Sequence, residues 1–351
     1  GRVTDMIMQR DVLLNFPYHS FLPLIDLIRE AAFDPDVMSI KITCYRLAPQ
    51  SKIINALINA VRNGKEVVVV IELRARFEEE ANIEWKNRLE EEGAKVIVGI
   101  PNMKVHAKIC SIKKKMADNS FTWYGFVSTG NLNEKTAKVY ADHCLLTSNQ
   151  KIMGDVNRIF AYLEQPKTGA GFLRDCKFII PSPSFVKKEM LRLINEEIKT
   201  ARKRKPASIT LKMNSLSDED LIQKLYEAAR AGVQLKLIIR GVFCMYSEHK
   251  KFEVPVRAIS IVDEYLEHAR VWVFHNRGKE KVYISSADWM LRNLEHRVEV
   301  TCPVWNDALK QELKEILNIQ LQDNVKARWL DNQLSNEYVQ TTKKKIRSQV
   351  E

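Results

Sequence analysis

"SIKITCYRLAPQSKIINALINAVRNGKEVVVVIEL", Ser39 to Leu73, decides the fold class. An apolar strand leads through a turn into a segment whose apolar residues recur at helical spacing. Gly64 stops that helix, and the run Val67 to Ile71 reads as a second, buried strand. Strand, helix, strand is the grammar of a parallel sheet. The same grammar returns in "SITLKMNSLSDEDLIQKLYEAARAGVQLKLIIRG" from Ser208, with Gly232 in the place of Gly64.

Working outward, the duplication covers most of the chain. "FPYHSFLPLIDLIREAAFDPD" from Phe16 is echoed by "IPSPSFVKKEMLRLINEEIKT" from Ile180, with Pro17 on Pro181 and Phe21 on Phe185. "FVSTGNLNEKTAKVYADHCLLT" from Phe126 is echoed by "YISSADWMLRNLEHRVEVTCPV" from Tyr283, with Gly130 on Ala287 and Asp142 on Glu299. A helix closes each half. The sequence therefore predicts two tandem α/β lobes, residues 1–165 and 166–351, divided near "EQPKTGAGFLRD", Glu164 to Asp175. Duplicated lobes of this kind are expected to hold one active site in the cleft between equivalent strand ends.

The charge balance points to the class of partner. Lys and Arg number 55 against 44 Asp and Glu, a net charge of +11, which suits a polyanion. Six cysteines are scattered singly, with no zinc spacing, and read as reduced core thiols of a cytoplasmic protein. The longest apolar run is too short for a membrane span, and the first residues carry no signal-peptide pattern. A start at "GRVTDM" without an initiator methionine reads as a fragment, a processed product or a cloning scar.

The chemistry gathers where the apolar pattern breaks. "NMKVHAKICSI", Asn102 to Ile112, reads as a strand with His106 and Lys108 on one face and Val105, Ala107 and Ile109 on the other. The second copy has His268 and Arg270 in "YLEHARVWVF". Each is followed by a small polar turn: Ser128, Thr129, Gly130, Asn131 and Asn133 in one, "SSADWM" in the other. Amides and hydroxyls in such a turn suit phosphate oxygens, and glycine permits close approach. Considered singly, Arg46 and Arg76 read as surface ion-pair partners, Tyr140 as strand filler and Arg240 as a strand cap. His19 reads as structural or as a minor phosphate contact. The basic runs "ARKRKPAS" and "TTKKKIRSQVE" read as solvated segments that attract anions weakly.

Two His-x-(Lys/Arg) elements, each with its turn, resemble the phospholipase D-like superfamily. "CYRLAPQSKIINALINAVRNGKEVVVVIELRARFEEEAN", "KVHAKI", "STGNLNEKTAKVYAD", "RAISIVDEYLEHARVWVF" and "KVYISSADWMLRNLEHRVEV" are together similar to the catalytic half of the first family of bacterial polyphosphate kinases. That resemblance implies reversible transfer of the terminal phosphate of ATP to inorganic polyphosphate through a phosphohistidine, with Mg²⁺. It puts the phosphorylated histidine at His106 and the second essential histidine at His268. Arg46 and Arg76 fall on the arginines of the Mg-phosphate cluster, acting through phosphate, while Tyr140, Arg240 and His268 fall on positions that contact ATP. Lys108, Asn131 and Asn133 are assigned to phosphate. The resemblance further implies a homo-oligomer at full length, two additional domains before this region, and compatibility with peripheral membrane association.

Three alternatives stand beside it. A phospholipase D-type phosphodiesterase or nuclease needs His-x-Lys-x₄-Asp, and the aspartate position holds Lys113 in one copy and His275 in the other. A nucleic-acid module would show a helix-turn-helix, zinc-finger or aromatic RNA-binding signature, and none is present, so no specific nucleic acid is expected. A non-catalytic polyanion-binding fragment is the third.

Overall fold

A computed structural model describes residues 2–74, 79–167 and 170–351. The chain forms two compact units: Gly1–Pro181 with His296–Cys302, and Ser182–Glu295 with Pro303–Glu351.

The first unit contains α1 (Val3–Gln9), β1 (Val12–Phe16), α2 (Leu22–Phe33), β2 (Val37–Cys44), α3 (Lys52–Arg62), β3 (Glu66–Ile71), α4 (Glu79–Glu92), β4 (Lys95–Val98), β5 (Lys104–Val105), β6 (Lys108–Lys115), β7 (Phe121–Ser128), β8 (Tyr140–Thr147) and α5 (Gln150–Glu164). Its sheet runs β1-β8-β7-β6-β2-β3-β4. The expected parallel pairing β2/β3/β4 is present, and β6 joins it antiparallel to β2. Side chains of β2 alternate between two cores. Ile40 and Ile42 pack with Leu24, Ile28, Ile54 and Leu57 of α2 and α3. Lys41 points the other way, to Glu164 at the end of α5, 2.7 Å distant. The hydroxyl of Ser51 accepts the amide of Ile54 and caps α3. Gly64 ends the turn after that helix at φ +81°, a conformation only glycine adopts without cost.

After α6 (Ala170–Arg174) and β9 (Ile180–Ser182), the second unit brings α7 (Phe185–Arg202), β10 (Ser208–Met213), α8 (Glu219–Ala231), β11 (Gln234–Ile239), β12 (Arg257–Ile261), β13 (Leu266–Glu267), β14 (Arg270–Phe274), β15 (Lys281–Ser285), α9 (Leu291–Glu295), α10 (Asp307–Leu321) and a last strand, Ala327–Trp329. Here β15-β14-β10-β11-β12 repeats the order β7-β6-β2-β3-β4 of the first unit, with the same parallel and antiparallel senses. The duplication read from the sequence is thus a duplication of topology.

Two expectations need correction. Cys44, Cys110, Cys144 and Cys302 are buried, but Cys176 is only half-buried and Cys244 is exposed, because each lies outside the strands. The segment "TTKKKIRSQVE" is not simply solvated: Asp323 accepts hydrogen bonds from the amide and hydroxyl of Ser348, and Gln349 is 6% exposed. Among the described residues no helix is long and apolar enough to cross a membrane.

Candidate active site

The His106 region departs from a continuous strand. The chain breaks at His106 and Ala107, between β5 and β6. Lys104 and Val105 pair in parallel with Arg297 and Val298, whereas Lys108 pairs with Ser128 of β7. Both amides of the break, His106 and Ala107, donate to the carbonyl of Val298, each at 3.0 Å. On the other side, Thr43 Oγ1 donates to the carbonyl of Ala107 at 2.7 Å and accepts the amide of Ile109 at 3.0 Å. Thr43 thereby continues the β2/β6 ladder with its side chain where the backbone turns away.

That break delivers the imidazole to a carboxylate. His106 Nδ1 lies 2.6 Å from Glu299 Oε1, and both groups are buried, Glu299 completely. Glu299 stands on the segment Arg297–Val304 whose first residues pair with β5, so one short ladder holds both partners. The ring of Tyr45 meets the imidazole edge-on, centroids 5.0 Å apart at 88°. The Lys108 ammonium lies 5.4 Å from the same Tyr45 ring, and Lys108 is 1% exposed. Glu72, also buried, accepts the Val105 amide at 3.3 Å and the Arg74 guanidinium, which in turn donates to the Met103 carbonyl at 2.9 Å. These bonds fix the approach to His106.

The polar turn is built on Ser128, whose hydroxyl donates to the Gly130 carbonyl and accepts its amide. Thr129 Oγ1 donates to Asp142 at 2.8 Å. A Cβ at Gly130 would stand 2.0 Å from Asp142 Oδ2, so close approach explains this glycine. Asn131 presents a buried Oδ1 without a partner among the described residues, and Arg46 a buried Nε in the same condition. Such orphaned groups are expensive unless a ligand meets them. Asn133 differs. Its Oδ1 accepts the amides of Lys135 and Thr136, so the side chain caps a turn. Tyr140 opens β8 and is half-buried. Arg76 lies outside the described residues. His19 accepts the Asn15 amide through Nδ1, a structural bond.

In the second unit the corresponding strand is anchored differently. Arg270 forms a two-pronged ion pair with Asp288, Nε–Oδ1 3.1 Å and Nη2–Oδ2 3.3 Å. Its remaining terminal nitrogen donates to the His268 carbonyl at 2.9 Å and lies 3.2 Å from His268 Nε2. Arg240 donates to Asn214 Oδ1 and to the Glu267 carbonyl, and Asn214 donates to the His268 carbonyl at 3.2 Å. The structure thus gathers His106 and Lys108 in one cluster, and His268 and Arg240 in another. Reasoning from sequence missed Asn214 and the contact of Glu299 with His106, while Glu267 and the "SSADW" turn that holds Asp288 were expected around His268. The repeat did flag Glu299, by aligning it with Asp142, without showing what it touches.

Comparison with known proteins follows the same division. The family model for polyphosphate kinase C-terminal domain 1 matches residues 2–169, and that for C-terminal domain 2 matches residues 179–349. The chain is 48% identical over 349 residues to a polyphosphate kinase of Vibrio cholerae and 44% identical over 347 residues to that of Escherichia coli K12. In each case 99% of this chain is covered, and it spans about half of the relative, 49% and 50%. The crystal structure of polyphosphate kinase from Porphyromonas gingivalis matches with a TM-score of 0.90 at 39% identity, over 99% of this chain and 52% of that one. The phosphatidylserine synthase of Haemophilus influenzae matches at 11% identity with a TM-score of 0.61, over 94% of this chain and 91% of that one, a likeness of fold alone. The two lobes are tandem α/β lobes that repeat one strand order.

Proposed function

The chain belongs to the polyphosphate kinase family, and from that membership we propose that it is the catalytic part of an ATP:polyphosphate phosphotransferase working through a phosphohistidine at His106. One observation carries the reading: the 2.6 Å contact between His106 Nδ1 and the buried Glu299 carboxylate. A carboxylate there accepts the Nδ1 proton, so the lone pair is left on Nε2, where a nucleophile needs it. Nε2 attacks the terminal phosphorus of ATP, the bond to the bridging oxygen breaks, and ADP leaves. A terminal oxygen of polyphosphate then attacks the phosphohistidine, returning Nε2 to its free state. All steps reverse.

Charge spreading onto the phosphoryl oxygens needs fixed cations. Lys108 is assigned to the phosphoryl group on His106; burial removes competing water from its ammonium. Arg46 is assigned to ATP phosphate, and its unpartnered Nε supports that role. Arg76 is assigned beside it. Asn131 is assigned to phosphate through its Nδ2 donors, its orphaned Oδ1 being an acceptor that suits a donor group instead, whereas the bonds made by Asn133 confine it to shaping the turn. Tyr140 and Arg240 are assigned to ATP, and His268 to phosphate contact and proton transfer as ADP departs. The lobes are taken as residues 1–165, carrying the phosphohistidine, and 166–351.

Among the described residues no cluster of three His, Cys, Asp or Glu side chains could hold a metal ion. Mg²⁺ is proposed to enter with the nucleotide, whose phosphates Arg46 and Arg76 would contact, and to supply charge neutralisation there when bound. The full-length enzyme is proposed to be a cytoplasmic homo-oligomer.

The test is incubation of the full-length enzyme with ATP or polyphosphate carrying labelled phosphate, then mapping of the label. An acid-labile, alkali-stable phosphoenzyme at His106, absent from His106→Ala and at most reduced in His268→Ala, is expected. Label on serine or aspartate, or undiminished in His106→Ala, overturns the reading.

A further inference from the structure

The segment after α10 folds back onto the residues that lead into His268, which lies between β13 and β14. Arg347 pairs with Asp263, Nη2–Oδ1 2.7 Å, and Asn324 accepts the Ile346 amide at 2.7 Å. Between these anchors and the chain's last residue, Gln349 makes the most specific contacts. Its Oε1 accepts the Tyr265 amide at 2.9 Å and its Nε2 donates to the Tyr265 carbonyl at 2.8 Å. A single carboxamide thus satisfies both backbone groups of Tyr265, as a neighbouring strand residue would. The same Nε2 reaches the Glu267 carboxylate at 3.1 Å.

Glu267 is a buried charge, 4% exposed, held by Lys212 at 2.7 Å and by the amides of Gln320 and Gln349. Its own carbonyl accepts Arg240 Nε at 3.1 Å, and the next residue is His268. Every contact in this chain lies within the second unit. Gln349 holds Tyr265 from both sides and Glu267 by its side chain, so the peptide planes leading into His268 have one orientation instead of several.

We infer that Gln349 is a positioning residue for His268 and Arg240, acting through Tyr265 and Glu267. The inference rests on the roles proposed above for those two residues. The carboxamide both accepts from and donates to Tyr265, through two different atoms. Gln349→Met keeps the length and loses both bonds, while Gln349→Glu loses the donor and faces Glu267 with a like charge.

The experiment uses the full-length enzyme with ATP and polyphosphate, and ¹⁵N-labelled histidine for ring spectra. Gln349→Met is expected to lower kcat about tenfold with KM for ATP within about twofold, as small misplacement of a reacting group does. Gln349→Glu should lower it further. The ring nitrogen signals of His268 should move in both variants while those of His106 stay in place. Arg347→Met, which removes the Asp263 pair and leaves the carboxamide, should lower the thermal midpoint and leave the His268 signals where they were. Unmoved His268 signals in Gln349→Met, or an equal displacement in Arg347→Met, overturn the inference. If the wild-type enzyme transfers no phosphate, the proposed function falls, and the His268 spectra still decide whether Gln349 orients that ring.

Discussion

The two His-x-(Lys/Arg) elements each span a break before equivalent strands, β6 and β14, yet they are supported in opposite ways. In the first unit the carboxylate goes to the histidine: Glu299 touches His106, and Lys108 lies over the Tyr45 ring. In the second unit the carboxylate goes to the cation: Asp288 grips Arg270, and Arg270 reaches the His268 carbonyl. The first arrangement sets a tautomer. The second fixes a guanidinium and, through it, a backbone. Duplicated topology thus holds one histidine by a carboxylate on its ring and the other through its backbone, a difference that suits the proposed nucleophile and helper.

The comparison breaks most sharply at its carboxylates. Glu299→Gln should cost about 10³-fold in phosphate transfer, because an amide can donate to Nδ1 and leave the proton on Nε2. Asp288→Asn in the other copy should cost far less, about tenfold, since Arg270 retains its backbone acceptor. Rates of phosphoenzyme formation would show the contrast; equal losses would abolish it. Arg46→Ala should come next, about 3 kcal/mol of lost transition-state stabilisation with the thermal midpoint little changed, as expected for a charge-assisted donor to a transferring phosphate. A wild-type rate in that variant would leave Arg46 as an ordinary surface cation.

A smaller contrast lies in the turns. Gly130→Ala forces a Cβ against Asp142 and should destabilise by about 2 kcal/mol, as overpacking does. The reverse change at the matching position, Ala287→Gly, should cost about 1 kcal/mol at most. Denaturant midpoints measure both, and a tolerated Gly130→Ala would mean that Asp142 gives way.

The smallest expected effect concerns pH. Asp263 titrates below the usual carboxylate range because Arg347 hydrogen-bonds to it. For Asp323 burial pulls upward, but the amides of Ser348, Lys326 and Val325 and the Ser348 hydroxyl outweigh it and the group also titrates low. A depressed carboxylate stabilises the fold above its unfolded value of about 4, and that contribution is lost as pH falls through the lower folded value. The segment holding Arg347 to Gln349 should therefore loosen below about pH 4, seen as faster hydrogen exchange at the Ser348 amide while β10 and β11 stay protected. Unchanged exchange there would show that the two aspartates do not secure it.

Much of this was legible in the residues. Gly64 and Gly232, each ending a helix before an apolar strand, reveal the parallel units, and Lys113 and His275 set the chain apart from phosphodiesterases. The break at His106 was hidden, because Val105, Ala107 and Ile109 alternate like a strand; the interruption comes from the bonds of Thr43 and Val298, which are remote in sequence. For the same reason Glu299 was visible only as a repeat partner of Asp142. Gln349 sits in a basic run whose composition suggests solvent, and its burial depends on one backbone segment that composition cannot name.

The assignment of His296–Cys302 to the first unit has a consequence for biosynthesis. A ribosome releases the first α/β half long before it reaches Glu299. Until then the nascent chain holds His106 with no carboxylate on Nδ1 and Val105 with no strand beside it. Domains usually fold as they emerge, amino-terminal first. Here the first unit closes only after more than a hundred further residues have been added, so the contact of His106 with Glu299 is made late.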